Sequence, residues 1–128
     1  MSPKTKEQIE KIREQSRKKI LDAALRLFAQ KGFDGTSVSG VAKEAGVAKG
    51  LIYNYFSSKE DLVHQLVISG ADVAEEVVGE LMGLPSVSER FRFVFEWFYR
   101  EMQERFEYYK LLTMLSLKLD AFPEMQDF

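Results

Sequence analysis

The sequence predicts an all-α fold, on three observations. Apolar residues recur at i, i+3, i+4 and i+7 along every long segment, no stretch alternates with period two, and serine or glycine punctuates the ends of the periodic runs. From Glu7 to Lys31, residues Ile20, Ala24, Leu27 and Phe28 share one helical face, and Lys11, Arg13, Arg17, Lys18 and Lys19 form a basic, weakly apolar extension upstream. Gly32 reads as a left-handed C-terminal cap, with Phe33 folding back on the last turn. Asp34-Gly35 is a turn signal, and Thr36-Ser37 offers N-cap oxygens to a short helix over Val38 to Ala45. Gly46 breaks that helix, and a second short one follows from about Ala48 to Tyr55.

Ser57-Ser58-Lys59-Glu60 reads as a capping box opening a long helix to about Met82, with Leu62, Leu66, Val73, Val77 and Leu81 on its buried side. Leu84-Pro85 ends it, and Ser86-Val87-Ser88-Glu89 opens a fifth helix. That helix is expected to carry Phe91, Val94, Phe95, Phe98 and Met102 inward and Glu89, Arg92, Glu96, Arg100 and Glu104 outward. A sixth, roughly Glu107 to Leu119, has Leu112, Leu115 and Leu119 in register and closes at Asp120-Ala121-Phe122-Pro123.

Composition narrows the function classes. The chain has no cysteine, which excludes disulfides and thiolate metal sites and suits a reducing, cytoplasmic setting. Its amino terminus lacks a signal-peptide core, and no run approaches the ~18 apolar residues of a membrane helix. The net charge of −2 conceals an asymmetry. Residues 1–59 hold 12 basic and 6 acidic side chains (+6), whereas residues 60–128 hold 6 basic and 14 acidic (−8). The front can sit on phosphates and the rear is repelled by them, which suggests two parts with different partners, a candidate DNA-binding domain at 1–59 and a second domain at 60–128. A chance excess on a solvated face is the alternative, and charge alone does not settle it.

The stretch Thr36 to Leu62 carries the chemistry. Two short helices joined by a tight glycine turn, at about residues 37–56, are helix-turn-helix geometry, whose second helix enters the major groove. Ala42 allows close helix packing, and Val41, Val47 and Ile52 are spaced to fill the small core. Lys49 opens the second helix, where a side chain reaches base edges or phosphates. Tyr53, Asn54 and Tyr55 add three hydrogen-bonding groups, and Lys59 stands at the next helix start, where free N–H groups also meet phosphate. No serine, histidine and carboxylate spacing suggests an activated nucleophile, and no glycine loop suggests nucleotide phosphates, so an enzyme is not expected. The lone His64 does not make a metal site, and no cofactor is implied.

From Ile20 to about Leu66 the chain resembles the TetR family of bacterial transcriptional regulators. The resemblance rests on Ile20-Leu21-Asp22-Ala23-Ala24, Leu27-Phe28, Gly32-Phe33, Thr36-Ser37-Val38 and Val41-Ala42-Lys43-Glu44-Ala45-Gly46-Val47. It continues through Lys49-Gly50-Leu51-Ile52-Tyr53-Asn54-Tyr55-Phe56 and Ser58-Lys59-Glu60-Asp61-Leu62. It implies a homodimeric repressor on a palindromic double-stranded operator, joined by a long helix to a ligand and dimerisation domain that binds a small effector. By the resemblance, Ser37 and Ser39 contact phosphates or bases, Lys49 and Gly50 approach base edges, and Tyr53, Asn54, Tyr55 and Lys59 hold mainly the backbone. Ala48 stands where the family often has serine, so a contact there is absent. The chain is short for the family, which implies an incomplete second domain.

The rear half is aromatic: eleven of sixteen aromatic residues follow residue 60. An apolar effector pocket drawing on Phe95, Trp97, Phe98 and Tyr108 is one reading, and a large core or a surface awaiting further helices is the other. Gly70 and Gly79 interrupt the long helix at about 1 kcal/mol each, which fits either flexing or close packing. Two alternatives stand beside the repressor: a protein of the same fold that organises DNA without an effector, and a helical interaction module.

Overall fold

The first helix begins where its backbone is capped. In the structure, a computed structural model that describes Pro3 and residues 5–118, the Thr5 side chain accepts from the Gln8 N–H at 3.2 Å, and the Gln8 side chain accepts from the Thr5 N–H at 3.0 Å. Helix α1 runs Lys6–Lys31, followed by α2 (Val38–Ala45), α3 (Lys49–Tyr55), α4 (Lys59–Gly83), α5 (Val87–Glu104) and α6 (Phe106–Ser116). Among the described residues there is no strand. No helix among them is long and apolar enough to cross a membrane. The chain divides into two compact units, Met1–Val63 and His64–Phe128. The expected residues Leu119 to Pro123 at the end of α6 lie outside the described residues.

In the first unit the apolar face of α1 is the floor of the core. Ile20, Ala24 and Phe28 are fully buried with Val41 of α2, Ile52 of α3, Phe56, and Leu62 and Val63 at the start of α4. The Phe33 ring stacks on Phe28 with centroids 5.9 Å apart, as the fold-back after Gly32 anticipates. Gly32 itself differs from the expected left-handed cap. Its φ is positive at 76° but its ψ is 174°, so the chain leaves α1 extended and turns at Asp34-Gly35, closed by Thr36 N–H to Phe33 O at 3.2 Å.

Two capping assignments need correction. Thr36 is buried and its hydroxyl donates back to Gly32 O at 2.8 Å, so Ser37 alone caps α2. The box at the start of α4 sits one residue later than the serine pattern suggests. Ser58 Oγ accepts from Asp61 N–H at 3.1 Å, and the Asp61 carboxylate accepts from Ser57 N–H at 2.9 Å.

The second unit corrects the expected orientation of α5. Phe91, Val94, Phe95 and Phe98 are exposed, Phe91 to 76%, and Met102 is only half-buried. The less exposed side is Arg90, Phe93, Trp97 and Glu101. Polar contacts select it: Arg90 Nε donates to Leu84 O at 2.9 Å, and Tyr109 of α6 donates its hydroxyl to Glu101 at 2.9 Å. Burial and this bond push the Tyr109 phenol up to about 12. Glu89, Arg92, Glu96, Arg100 and Glu104 are exposed, as expected.

Helix α6 buries Tyr108, Leu111 and Leu115 rather than Leu112, which is half-buried. Tyr108 lies against Gly70 of α4, where an added Cβ would collide with its hydroxyl and ring. Its hydroxyl donates to Val67 O at 3.2 Å. Gly70 therefore answers to close packing. Gly79 has open space where a Cβ would stand.

Candidate nucleic-acid interface

The α2–α3 pair is held rigid by its own backbone. Ser37 Oγ accepts from Gly40 N–H at 3.0 Å and opens α2. Gly46 closes it in the left-handed region, at φ 69° and ψ 33°. Val47 N–H reaches Ala42 O at 3.0 Å and Gly46 N–H reaches Lys43 O at 3.2 Å, the two reciprocal bonds of a Schellman closure. A side chain at 46 would strain this φ, so the glycine sets the angle at which α3 departs.

Helix α3 then sorts its residues cleanly. Ile52 is buried, Leu51 and Tyr55 are half-buried, and Lys49, Gly50, Tyr53 and Asn54 are exposed. Positions 49, 50, 53 and 54 follow helical spacing, so they make one continuous outward face with a cation, an amide and a phenol on it. Gly50 has nothing within 4 Å of where a Cβ would stand, and no neighbour within the chain accounts for a glycine there. Ala48 precedes α3 with no side-chain cap, in keeping with the missing serine.

Ser37 and Ser39 are exposed on α2. A depression of about 440 Å³ beside Ser37 is lined also by Lys31, Gly40, Lys43 and Glu44, which adds two cations and a carboxylate that the sequence reading did not select. The spacing of Lys43, four residues after Ser39 on an exposed helix face, was the available signal.

Two positions are more committed than the sequence suggests. The Lys59 ammonium donates to Phe33 O at 2.8 Å and sits 4.0 Å from the Phe33 ring centroid. The Asp61 N–H in the same turn is already used by Ser58, and Glu60 and Asp61 put negative charge there. Tyr55 lies under the Arg13 guanidinium, 6.0 Å from its ring centroid, and Arg17 stands 5.6 Å from the Phe56 ring. Both arginines belong to α1, which ties that helix to the end of α3.

Comparison with known proteins agrees with this geometry. Residues 20–66 match the model of the tetR family of bacterial regulatory proteins. That stretch is of the TetR type. It is 41% identical over 81 residues to the HTH-type transcriptional regulator AcrR of Shigella flexneri, covering 63% of this chain and 34% of that protein. It is 30% identical over 100 residues to IcaR, the negative transcriptional regulator of the icaADBC biofilm operon in Staphylococcus aureus, covering 77% of this chain and 52% of that protein. A TetR family transcription regulator from Marinobacter aquaeolei shares the fold at a TM-score of 0.79 and 24% identity, over 92% of this chain and 62% of that one. The chain thus spans about a third of AcrR and half of IcaR.

The four aromatic residues expected around an effector are not gathered into one site. Phe95 and Phe98 are exposed, Trp97 is half-buried on the opposite side of α5, and Tyr108 is buried against Gly70. Phe98 instead lines an open apolar groove of about 520 Å³ with Met102, Phe106, Tyr109 and Leu112. Among the described residues no group of three or more acidic or histidine side chains is placed to hold a metal.

Proposed function

We propose that this chain is the operator-binding part of a transcriptional repressor, inserting α3 into the major groove. The observation that carries the reading is the outward face Lys49, Gly50, Tyr53 and Asn54, fixed over buried Ile52 by the Gly46 closure. A glycine that no neighbour in the chain requires, at the first turn of that face, suits close approach of a DNA backbone or base edge. Ser37, Ser39, Tyr55 and Lys59 flank it as phosphate contacts, Lys59 with the donors left over from Phe33. IcaR is a negative regulator, which favours repression here too. The complete protein is a homodimer on a near-palindromic operator whose half-sites lie about one turn, roughly 34–36 Å, apart. Release follows binding of a small apolar effector by the aromatic rear unit, with the Phe98 groove as its entry surface.

The test is selection of bound duplexes from a random pool, followed by titration against salt. Lys49→Ala is expected to relax preference at one or two base positions by roughly 1–3 kcal/mol. Lys59→Ala is expected to weaken every sequence alike and flatten the salt slope by about one unit. It should also lower the melting temperature, because its bond to Phe33 O is worth about 1 kcal/mol. Parental sequence preference in Lys49→Ala would remove α3 from the major groove.

A further inference from the structure

The first fourteen residues of α1, Lys6 to Lys19, precede the family match, which begins at Ile20. They contribute little to the core: residues 6–15 are all exposed, and burial starts only at Ile20. The first seven of them, Lys6 to Ile12, reach roughly 10 Å past Arg13, which stands over the Tyr55 ring, at about 1.5 Å per residue. The segment Lys6 to Lys19 holds six basic and three acidic side chains. Glu7, Glu10 and Glu14 fall at i, i+3 and i+7 on one stripe. Lys6, Arg13 and Arg17 fall at i, i+7 and i+11, on the stripe that continues into buried Ile20 and Ala24. The face that packs on α2 and α3 in the second half of α1 therefore carries three cations in the first half, with Glu10 at its edge, four residues after Lys6.

That basic stripe meets the end of the candidate interface. Arg13 stands over the ring of Tyr55 and Arg17 over the ring of Phe56, where α3 finishes. We propose that the amino-terminal half of α1 is a second DNA-contacting element, in which Lys6 and Arg13 hold phosphates flanking the duplex segment read by α3. The proposal rests on the major-groove reading of α3. Arg17 anchors the stripe to Phe56, and Arg13 joins the stripe to Tyr55. Duplex DNA presents one charge per about 1.7 Å of axis, so a projecting basic helix beside a docked α3 runs along a dense row of acceptors. The acidic stripe, on an adjacent side, sets which side of the helix can turn to the backbone.

The experiment uses the 128-residue chain and a duplex obtained by selection, in two lengths: about one turn, covering only the α3 contacts, and about three turns. The double variant Lys6→Gln, Arg13→Gln is compared with the parent over salt. Both side chains are exposed and glutamine is a comparable helix former, so the chain is expected to stay folded, with only a small drop in melting temperature from loss of the Arg13–Tyr55 contact. On the long duplex the variant is expected to lose about two units of salt slope, at roughly 0.9 per phosphate. Between 50 and 200 mM salt the parent then loses roughly tenfold more affinity than the variant. On the short duplex the two proteins are expected to bind alike, and Lys6→Arg with Arg13→Lys is expected to restore the slope. Equal slopes on the long duplex, or the same loss on both lengths, would overturn the proposal. Lys49→Ala separates the two readings. If it loses sequence preference while the double variant binds as the parent does, only the α1 element fails, whereas no selectable duplex at all removes both.

Discussion

Phe28→Ala is expected to unfold the first unit at temperatures where the parent is intact. Phe28 is fully buried and its ring stacks on Phe33 at 5.9 Å, so truncation removes two sets of contacts and leaves a cavity. Buried phenylalanine to alanine changes cost about 3–5 kcal/mol. A unit of this size, Met1–Val63, carries a total stability of only about 3–9 kcal/mol at 0.05–0.15 per residue. The loss is thus comparable to everything that holds the three-helix core. Duplex binding should disappear with it, although Phe28 is buried and is not among the proposed contacts. Thermal melting by circular dichroism checks this, with Trp97 fluorescence reporting the other unit. A variant that melts where the parent does, and still binds duplex, would show that Phe28 is not central to the core.

Gly70→Ala and Gly79→Ala are expected to move stability in opposite directions. Helix propensity favours alanine at both by about 1 kcal/mol. At 79 nothing opposes it, because the added methyl meets open space, and a gain of about 0.5–1 kcal/mol follows. At 70 the methyl runs into Tyr108, which is 5% exposed and bonded to Val67 O. The phenol must withdraw, losing that bond and its packing, and overpacking of this kind costs about 1–3 kcal/mol. Propensity loses to contact, and a net destabilisation of the second unit is expected. Trp97 fluorescence during urea unfolding measures both variants. A Gly70→Ala midpoint at or above the parent's would mean that Tyr108 yields freely, and flexing of α4 at Gly70 would become the better account.

Local punctuation made the first unit legible. Ser37 and Gly46 bound α2 at the residues their chemistry indicates, because a cap bond or a positive φ is settled within four residues of chain. Within α3 the reading is less complete: Tyr53 and Asn54 are exposed, whereas Tyr55, grouped with them from the sequence, is half-buried beneath Arg13. What was not legible depends on distant partners. Gly70 looks like a weak point until Tyr108, thirty-eight residues later, is seen to occupy it. Lys59 looks like a free cation until Phe33 receives it. Helix α5 misleads because it has apolar residues on two sides, and the inner one was chosen by Glu101 and Arg90, which a hydrophobic pattern scores as solvent-facing.

The exposed aromatic row on α5 bears on how this polypeptide behaves in a tube. Phe91, Phe95 and Phe98 each leave more than half of their surface uncovered. With a net charge of only −2 and a pI near 5.5, there is little electrostatic repulsion to keep such rows apart, and least in mildly acidic buffer. Turbidity and light scattering should therefore peak near pH 5.5 and fall as the buffer is made more alkaline. Added salt should worsen the clouding at pH 8 by screening the small repulsion there is, and Phe95→Glu should clear it. Scattering indifferent to both pH and Phe95→Glu would place the cohesive surface elsewhere.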